Sequence, residues 1–400
     1  MRRLALACML TAALGGQALA QDASHVISDM VGDLQRLQVQ MARGDRAAYA
    51  KQQERLHAIG AAILAAKPEI WQQKSETDAA AAYVLGGGQP RDLSRLLERG
   101  VVPKSEEDLL RGALAYASGR EQDAENLLGG IDARQVSLKL AGQLAYAQSV
   151  LVTSRAPKRA IELLDVARLL APGSLVEEAA LRREILLAGD ERDSDRVVFL
   201  ARQYVERFGR SIYAENFILG LAATGVRYRF LDDLTNLQKF ESLLSLATTE
   251  QRRGFLLTLA RALTIAGKFD VAAVAAQDAL KESSPGGSEE ARGHMYLAIS
   301  HVMLDRYDAG VAELHQADAG KLDRADRELL TAALFVAQHL RDTYSDSTLD
   351  HAAREDRVAR ARSPSMGLDV SADPVGVTIA RAEGAVARGE VLNQAPKIPK

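Results

Sequence analysis

The sequence predicts an all-α protein: a tetratricopeptide-like α-solenoid of helical hairpins, with an N-terminal helical hairpin and a largely disordered C-terminal tail. Three observations lead there. Aromatic residues make up only 5% of the 400 residues, and Ala, Leu, Arg, Glu and Gln dominate, a composition that favours helix over strand. A frame of small and apolar residues recurs at steps of five, four and three. It reads Gly119, Ala124, Leu128, Ile131; then Arg155, Ala160, Leu164, Ala167; then Gly189, Ser194, Val198, Ala201. Further on come Gly267, Ala272, Ala276, Ala279 and Asp305, Gly310, Leu314, Ala317. Finally, the copies lie 36 (Ala124 to Ala160), 34 (Ala160 to Ser194) and 38 (Ala272 to Gly310) residues apart, near the period of about 34 of tetratricopeptide arrays.

Close packing explains the frame. Small residues on facing helices let two antiparallel axes approach to about 8–10 Å. Gly112, Ala124, Ala160, Ala167, Ala260, Ala272, Ala298 and Gly310 are the residues expected at these crossings. His301 occupies one such slot, where a packed histidine is expected. The 78 residues between Ser194 and Ala272 leave room for one or two further hairpins.

In chain order, residues 1–20 read as a secretory signal peptide: basic Arg2 and Arg3, an apolar stretch from Leu4 to Leu14, and Ala18-Leu19-Ala20 before cleavage at Gln21. The apolar stretch is too short to span a bilayer. Cys8, the single cysteine, lies within it, so the exported chain carries no disulfide or thiolate metal site. The expected compartment is the periplasm, with no membrane insertion of the mature chain. Residues 21–100 form an N-terminal helical region. Ile27, Met30, Leu34, Leu37 and Met41 make a narrow heptad seam. Gly44 then stops the helix and Asp45 caps the next, which ends at Lys67-Pro68. An intramolecular hairpin fits this pattern; an intermolecular coiled coil is the alternative. A helix ends near Leu85, and Gly86-Gly87-Gly88-Gln89-Pro90 is a turn, with Asp92 or Ser94 capping the next helix. No Lys-Ser/Thr pair comes after the glycines, which excludes a phosphate loop. The solenoid spans residues 101–341, with Ser283 to Ser288 as its clearest linker and Glu289-Glu290 opening a helix. Residues 342–400 hold a charged helix over 346–361 and a proline-containing tail read as largely disordered.

The chemistry-bearing residues are sparse. Net charge is −3 for the whole chain and −5 from residue 21, so nucleic acid is not an expected partner. No two of the seven histidines have the i, i+4 spacing of a helical zinc site. No metal and no cofactor are expected, and no Gly-x-Ser-x-Gly elbow occurs. Glu241-Ser242 and Glu282-Ser283 match only the dipeptide of a lytic transglycosylase, and too little chain lies beyond residue 341 for an added catalytic domain. The basic-aromatic cluster Arg227-Tyr228-Arg229-Phe230 reads either as an inter-helix turn or as a partner contact through guanidinium forks and aromatic anchors. A non-enzymatic binding protein is expected. The alternatives are an envelope or cell-wall assembly scaffold and, further off, a peptidoglycan hydrolase.

The leader, residues 83–90 (Tyr83 to Pro90), residues 111–116 (Arg111 to Tyr116) and residues 167–183 (Ala167 to Arg183) together resemble the periplasmic motility family MotC of rhizobia and their relatives. Phe208-Gly209-Arg210-Ser211 and Tyr213 to Phe217 add to the resemblance, which covers most of residues 1–340. It implies an accessory of the flagellar motor, needed for rotation. The implied partner is the periplasmic region of the stator subunit MotB. No site residues carry over from the family.

Overall fold

A computed structural model describes residues 26–304 and 306–345. The leader, Asp305, the charged helix expected at 346–361 and the tail from Ser363 lie outside the described residues. Among the described residues stand seventeen α-helices, two short 3-10 turns and no strand. They fall into two compact units, residues 26–180 and 181–345.

The first unit contains α1 (Val26–Ala42), α2 (Arg46–Ala65), α3 (Lys74–Leu85), α4 (Pro90–Glu98), α5 (Lys104–Ala117), α6 (Glu121–Leu128), α7 (Leu138–Val152) and α8 (Pro157–Leu170). Its hub is α3, which packs on α1, α5 and α7. Every residue of α3 from Glu76 to Leu85 is buried, and its Ala79–Leu85 run is apolar on all sides, as that burial requires. Four consecutive alanines, Ala79 to Ala82, let the three neighbours come close. The N-terminal pair α1–α2 is an intramolecular hairpin, and α1 also reaches α7. There Gln35 Nε2 donates to the Lys139 carbonyl at 2.6 Å, and Lys139 Nζ donates to the Ser28 carbonyl at 2.7 Å.

The acidic residues opening α3 cap neighbouring helices, while α3 itself begins after Gln73 with no side-chain cap. Glu76 Oε2 accepts from the backbone N–H groups of Ile27 (2.9 Å) and Ser28 (3.3 Å) at the start of α1. Asp78 Oδ2 accepts from Ser137 N at 2.7 Å, just before α7. Orphan donors at two helix starts are thus satisfied from a third. Asp92 and Ser94, expected as caps of α4, play other parts. That helix begins directly at Pro90 after Gln89, with no side-chain cap, because proline at the first position has no N–H to satisfy. Asp92 instead accepts from the Tyr83 hydroxyl at 2.8 Å, and Ser94 donates to Glu98.

The second unit contains the C-terminal part of α9 (Leu175–Asp190), then α10 (Ser194–Phe208), α11 (Ala214–Arg227), α12 (Leu234–Leu244), α13 (Thr249–Ile265), α14 (Phe269–Lys281), α15 (Ser288–Met303), α16 (Tyr307–Gln316) and α17 (Arg324–Ser345). Helices α11, α13, α15 and α17 follow one another as neighbours in one layer, while α14 and α16 pack against α13 and α15. One pair of helices, α11 and α12, fills the interval between α10 and the α13–α14 hairpin. Thr248 and Gln251 form a reciprocal capping box at the start of α13. Phe230, Phe240 and Phe255 stack in sequence at 6.0 and 6.1 Å between ring centroids, forming the aromatic part of this core.

The hairpin turns reuse one stop. Gly44, Gly119 and Gly267 adopt positive φ values of 96°, 71° and 71°. The next residue in each case donates back across the turn: Asp45 to Gln40, Arg120 to Ala115, Lys268 to Leu263. This is the left-handed C-terminal motif that glycine favours. At the end of α9 the same position is held by Arg192, at φ 58°, with Asp193 donating to Ala188. The fourth frame copy is therefore three residues out of register. Counting from Arg192 in place of Gly189, the steps land on Val197, Ala201 and Tyr204, all buried, whereas Ser194 and Val198 are half-exposed.

Candidate interaction surfaces

The residues expected at helix crossings lie in the core. Ala124, Ala160, Ala167, Ala260 and Ala272 are fully buried, and Ala298 nearly so. At Gly112 an added Cβ would sit 2.5 Å from the Leu128 side chain, and at Gly310 it would meet Val302 N at 2.6 Å and the Ala298 carbonyl at 2.9 Å. These positions build the hairpins and offer nothing to a ligand.

The cluster at the end of α11 divides. Phe230 is buried at 2% exposure, wedged against Gly189 and stacked on Phe240. It leaves the set of candidate contacts, because an anchor for a partner must reach solvent. Tyr228 is half-buried, and its hydroxyl donates to the Asp190 carboxylate. Burial still holds that carboxyl above its ordinary range. Arg227 and Arg229 face solvent. The Arg227 guanidinium lies 5.5 Å from the Tyr228 ring centroid, and Arg229, left-handed at φ 63°, pairs with Asp232 at 3.0 Å. Two cations and the edge of one aromatic ring thus remain as contact groups on this turn.

In the first unit, the loop joining α6 to α7 borders a cleft of about 550 Å³. Leu151, Leu163 and Val166 contribute apolar surface, and Arg134, Arg159, Asp132 and Glu162 contribute charge of both signs. Gln148 fixes the loop by donating to the Leu128 and Ile131 carbonyls at 2.7 and 2.8 Å. Mixed charge around apolar surface suits a polypeptide side chain better than a compact anion.

A buried polar cluster ties three helices of the second unit. Asp326 of α17, fully buried, accepts from the Tyr296 hydroxyl at 2.6 Å and from Arg292 Nε at 2.9 Å, both on α15. Arg261 Nε of α13 stands 3.3 Å from the same carboxylate. Burial pushes the Tyr296 hydroxyl far up, so it stays protonated and donates. Arg292 and Tyr296 share a helix face at i, i+4, which the sequence shows; that Asp326 meets them does not follow from any local pattern.

Glu241, the residue that matched the transglycosylase dipeptide, hydrogen-bonds Asp278 of α14. Partial desolvation first, then the Asp278 carboxyl, raise its pKa. Lys281 sits 2.5 Å from Asp278. His301 is partly buried, with Nδ1 3.0 Å from Glu313. Among the described residues, no three His, Cys, Asp or Glu side chains gather as a metal site, and no helix is long and apolar enough to cross a membrane.

Comparison with known proteins extends these observations. Residues 1–394 match the family model described as Chemotaxis protein MotC, so the likeness runs through the tail as well as the first 340 residues. The chemotaxis protein MotC of Rhizobium meliloti (strain 1021) is 26% identical over 310 residues, covering 77% of this chain and 70% of that protein. Among solved structures, the TPR domain of P58(IPK) aligns with 82% of this chain and 98% of its own at 13% identity. Its TM-score is 0.25, a superposition too loose to define a shared shape. A family match over nearly the whole length, together with a curated relative, decides the question of kinship: the chain belongs to the chemotaxis protein MotC family.

Proposed function

We propose that the protein is an exported, non-catalytic accessory of the flagellar motor that acts in the periplasm. In this reading it binds the periplasmic region of the stator subunit MotB and holds it in a working conformation. The observation that carries the reading is the family match over residues 1–394, which supports a role in motility. The leader at residues 1–20 supports export. Stacked helical hairpins support binding over chemistry, since they present extended rigid surfaces suited to polypeptide partners. A specific complex there would bury about 1,600 Å² in total. The solvent-facing Arg227 and Arg229 and the α6–α7 cleft are the contact groups offered by the two units.

The test is capture of the purified MotB periplasmic region by residues 21–400, paired with deletion of the gene. Binding, together with cells that assemble flagella and do not turn them, supports the proposal. Loss of the filament itself, or no capture at micromolar concentrations, overturns it.

A further inference from the structure

We propose that Arg261, Arg292 and Tyr296 form a carboxylate-binding site on the α13–α15 layer, that Asp326 fills it from α17 in the free protein, and that an acidic helix of a polypeptide partner takes the place of α17 there. The site belongs to two neighbouring helices. Arg292 and Tyr296 lie one turn apart on α15, and Arg261 reaches in from α13. Their donors converge on one carboxylate. The Tyr296 hydroxyl lies 2.6 Å and Arg261 Nε 3.3 Å from Asp326 Oδ1, and Arg292 Nε lies 2.9 Å from Oδ2. The Asp326 side chain has no exposed surface, while the Arg261 and Arg292 side chains keep 19% and 26% of theirs. Two positive charges thus face one negative charge where little water enters. Guanidiniums so placed require an anion, and the group already seated between them gives its class: a carboxylate, matched to planar guanidinium donors.

Apart from this contact α17 is lightly held. Between Arg324 and Leu340, only Leu330 and Ala337 join Asp326 as buried residues, and the three share one helix face. The Tyr307 hydroxyl adds a hydrogen bond to the Ala337 carbonyl. By contrast, α13 buries Phe255, Leu256, Leu257, Leu259 and Leu263. A helix that buries little apolar surface opens at low cost. The most deeply buried residue of α17 is its carboxylate, so the charge, more than the apolar area, selects what docks. A competing helix needs the same two features, a carboxylate and a leucine one turn later, as in Asp326 and Leu330. While Asp326 fills the site, an outside helix binds with an affinity lowered by the fraction of molecules in which α17 is released. Helix α17 is thereby an autoinhibitory strap over the site.

The proposal rests on the reading of the protein as one that works by contact with a polypeptide. Its test needs no stator protein, so the two fail separately. In the chain of residues 21–400, Asp326→Ala empties the site. Amide exchange across residues 324–340 should then quicken, and sodium acetate should slow it again where sodium chloride at equal ionic strength does not. Unchanged exchange of α3 in the first unit is the folding control. Asp326→Asn keeps the shape of the contact and serves where Asp326→Ala fails to fold. That chain should bind a labelled peptide of residues 318–340 about tenfold more tightly than the wild-type chain does. The same peptide carrying Asp326→Asn should bind it about tenfold more weakly, the loss of one hydrogen-bonded charge. Arg292→Gln in the recipient chain should abolish that preference. Acetate no better than chloride overturns the proposal, as does equal binding of the acidic and neutral peptides or no binding of the acidic one.

Discussion

Single side chains decide how closely the helices of this protein approach. Ala272 is fully buried on α14. Ala272→Leu overpacks the α13–α14 crossing and should cost about 1–3 kcal/mol, read as a lowered midpoint in urea with unchanged slope. Gly310→Ala is a sharper case. Alanine is better than glycine within a helix by about 1 kcal/mol, yet the new Cβ would press on backbone atoms of Val302 and Ala298. Those cannot swing aside, so the substitution should still destabilise. A more stable variant would show that α16 can shift outward without loss. Glu241 carries the pH dependence expected of a raised carboxyl pKa. An acid with a higher pKa in the folded than in the unfolded chain binds more protons when folded, so its contribution is present at low pH and lost as pH rises through the folded value. Stability should therefore fall across that range, and Glu241→Gln should flatten the profile; a slope that survives the substitution would assign it to other groups.

Local sequence rules and tertiary demands meet at the scale of helices. Gly119 and Gly267 announce their turns because glycine is the residue that readily takes a left-handed backbone. The Arg192 stop carries no such mark, so the frame copy beginning at Gly189 reads three residues early. Gly189 is small for another reason: the Phe230 ring packs against it. Two polar residues hold whole helices in place. Glu76→Ala would leave the N–H groups of Ile27 and Ser28 without their acceptor, at a cost of about 1–3 kcal/mol; amide exchange in α1 should quicken ahead of the rest. Asp326→Asn removes the charge that Arg292 and Arg261 face. Unpairing a buried ion pair costs about 3–5 kcal/mol, and the lower end applies because both guanidiniums keep some exposure. Loss of α17 protection with the first unit unchanged is the expected signature.

At the scale of the molecule, the proposed role is one of contact, through the surfaces that the helical hairpins present. If Arg227 and Arg229 belong to the contact surface, Arg227→Glu with Arg229→Glu should weaken capture of the stator region at least tenfold and leave the thermal midpoint within a few degrees. Equal capture would move the interface elsewhere, with the α6–α7 cleft next to be probed by Arg159→Glu.

The sequence by itself determined the helical class, several helix ends and the small residues at the crossings, because these rest on interactions within a few residues of one another. Capping, left-handed stops and the 3.6-residue period are all written locally. Only the tertiary structure decided that Phe230 faces the core, that Glu76 and Asp78 cap helices other than their own, and that Asp326 gathers two arginines and a tyrosine. Those outcomes bring together groups far apart in the chain, such as Tyr296 and Asp326 at 30 residues and Asp78 and Ser137 at 59, through burial, which has no fixed spacing along the chain.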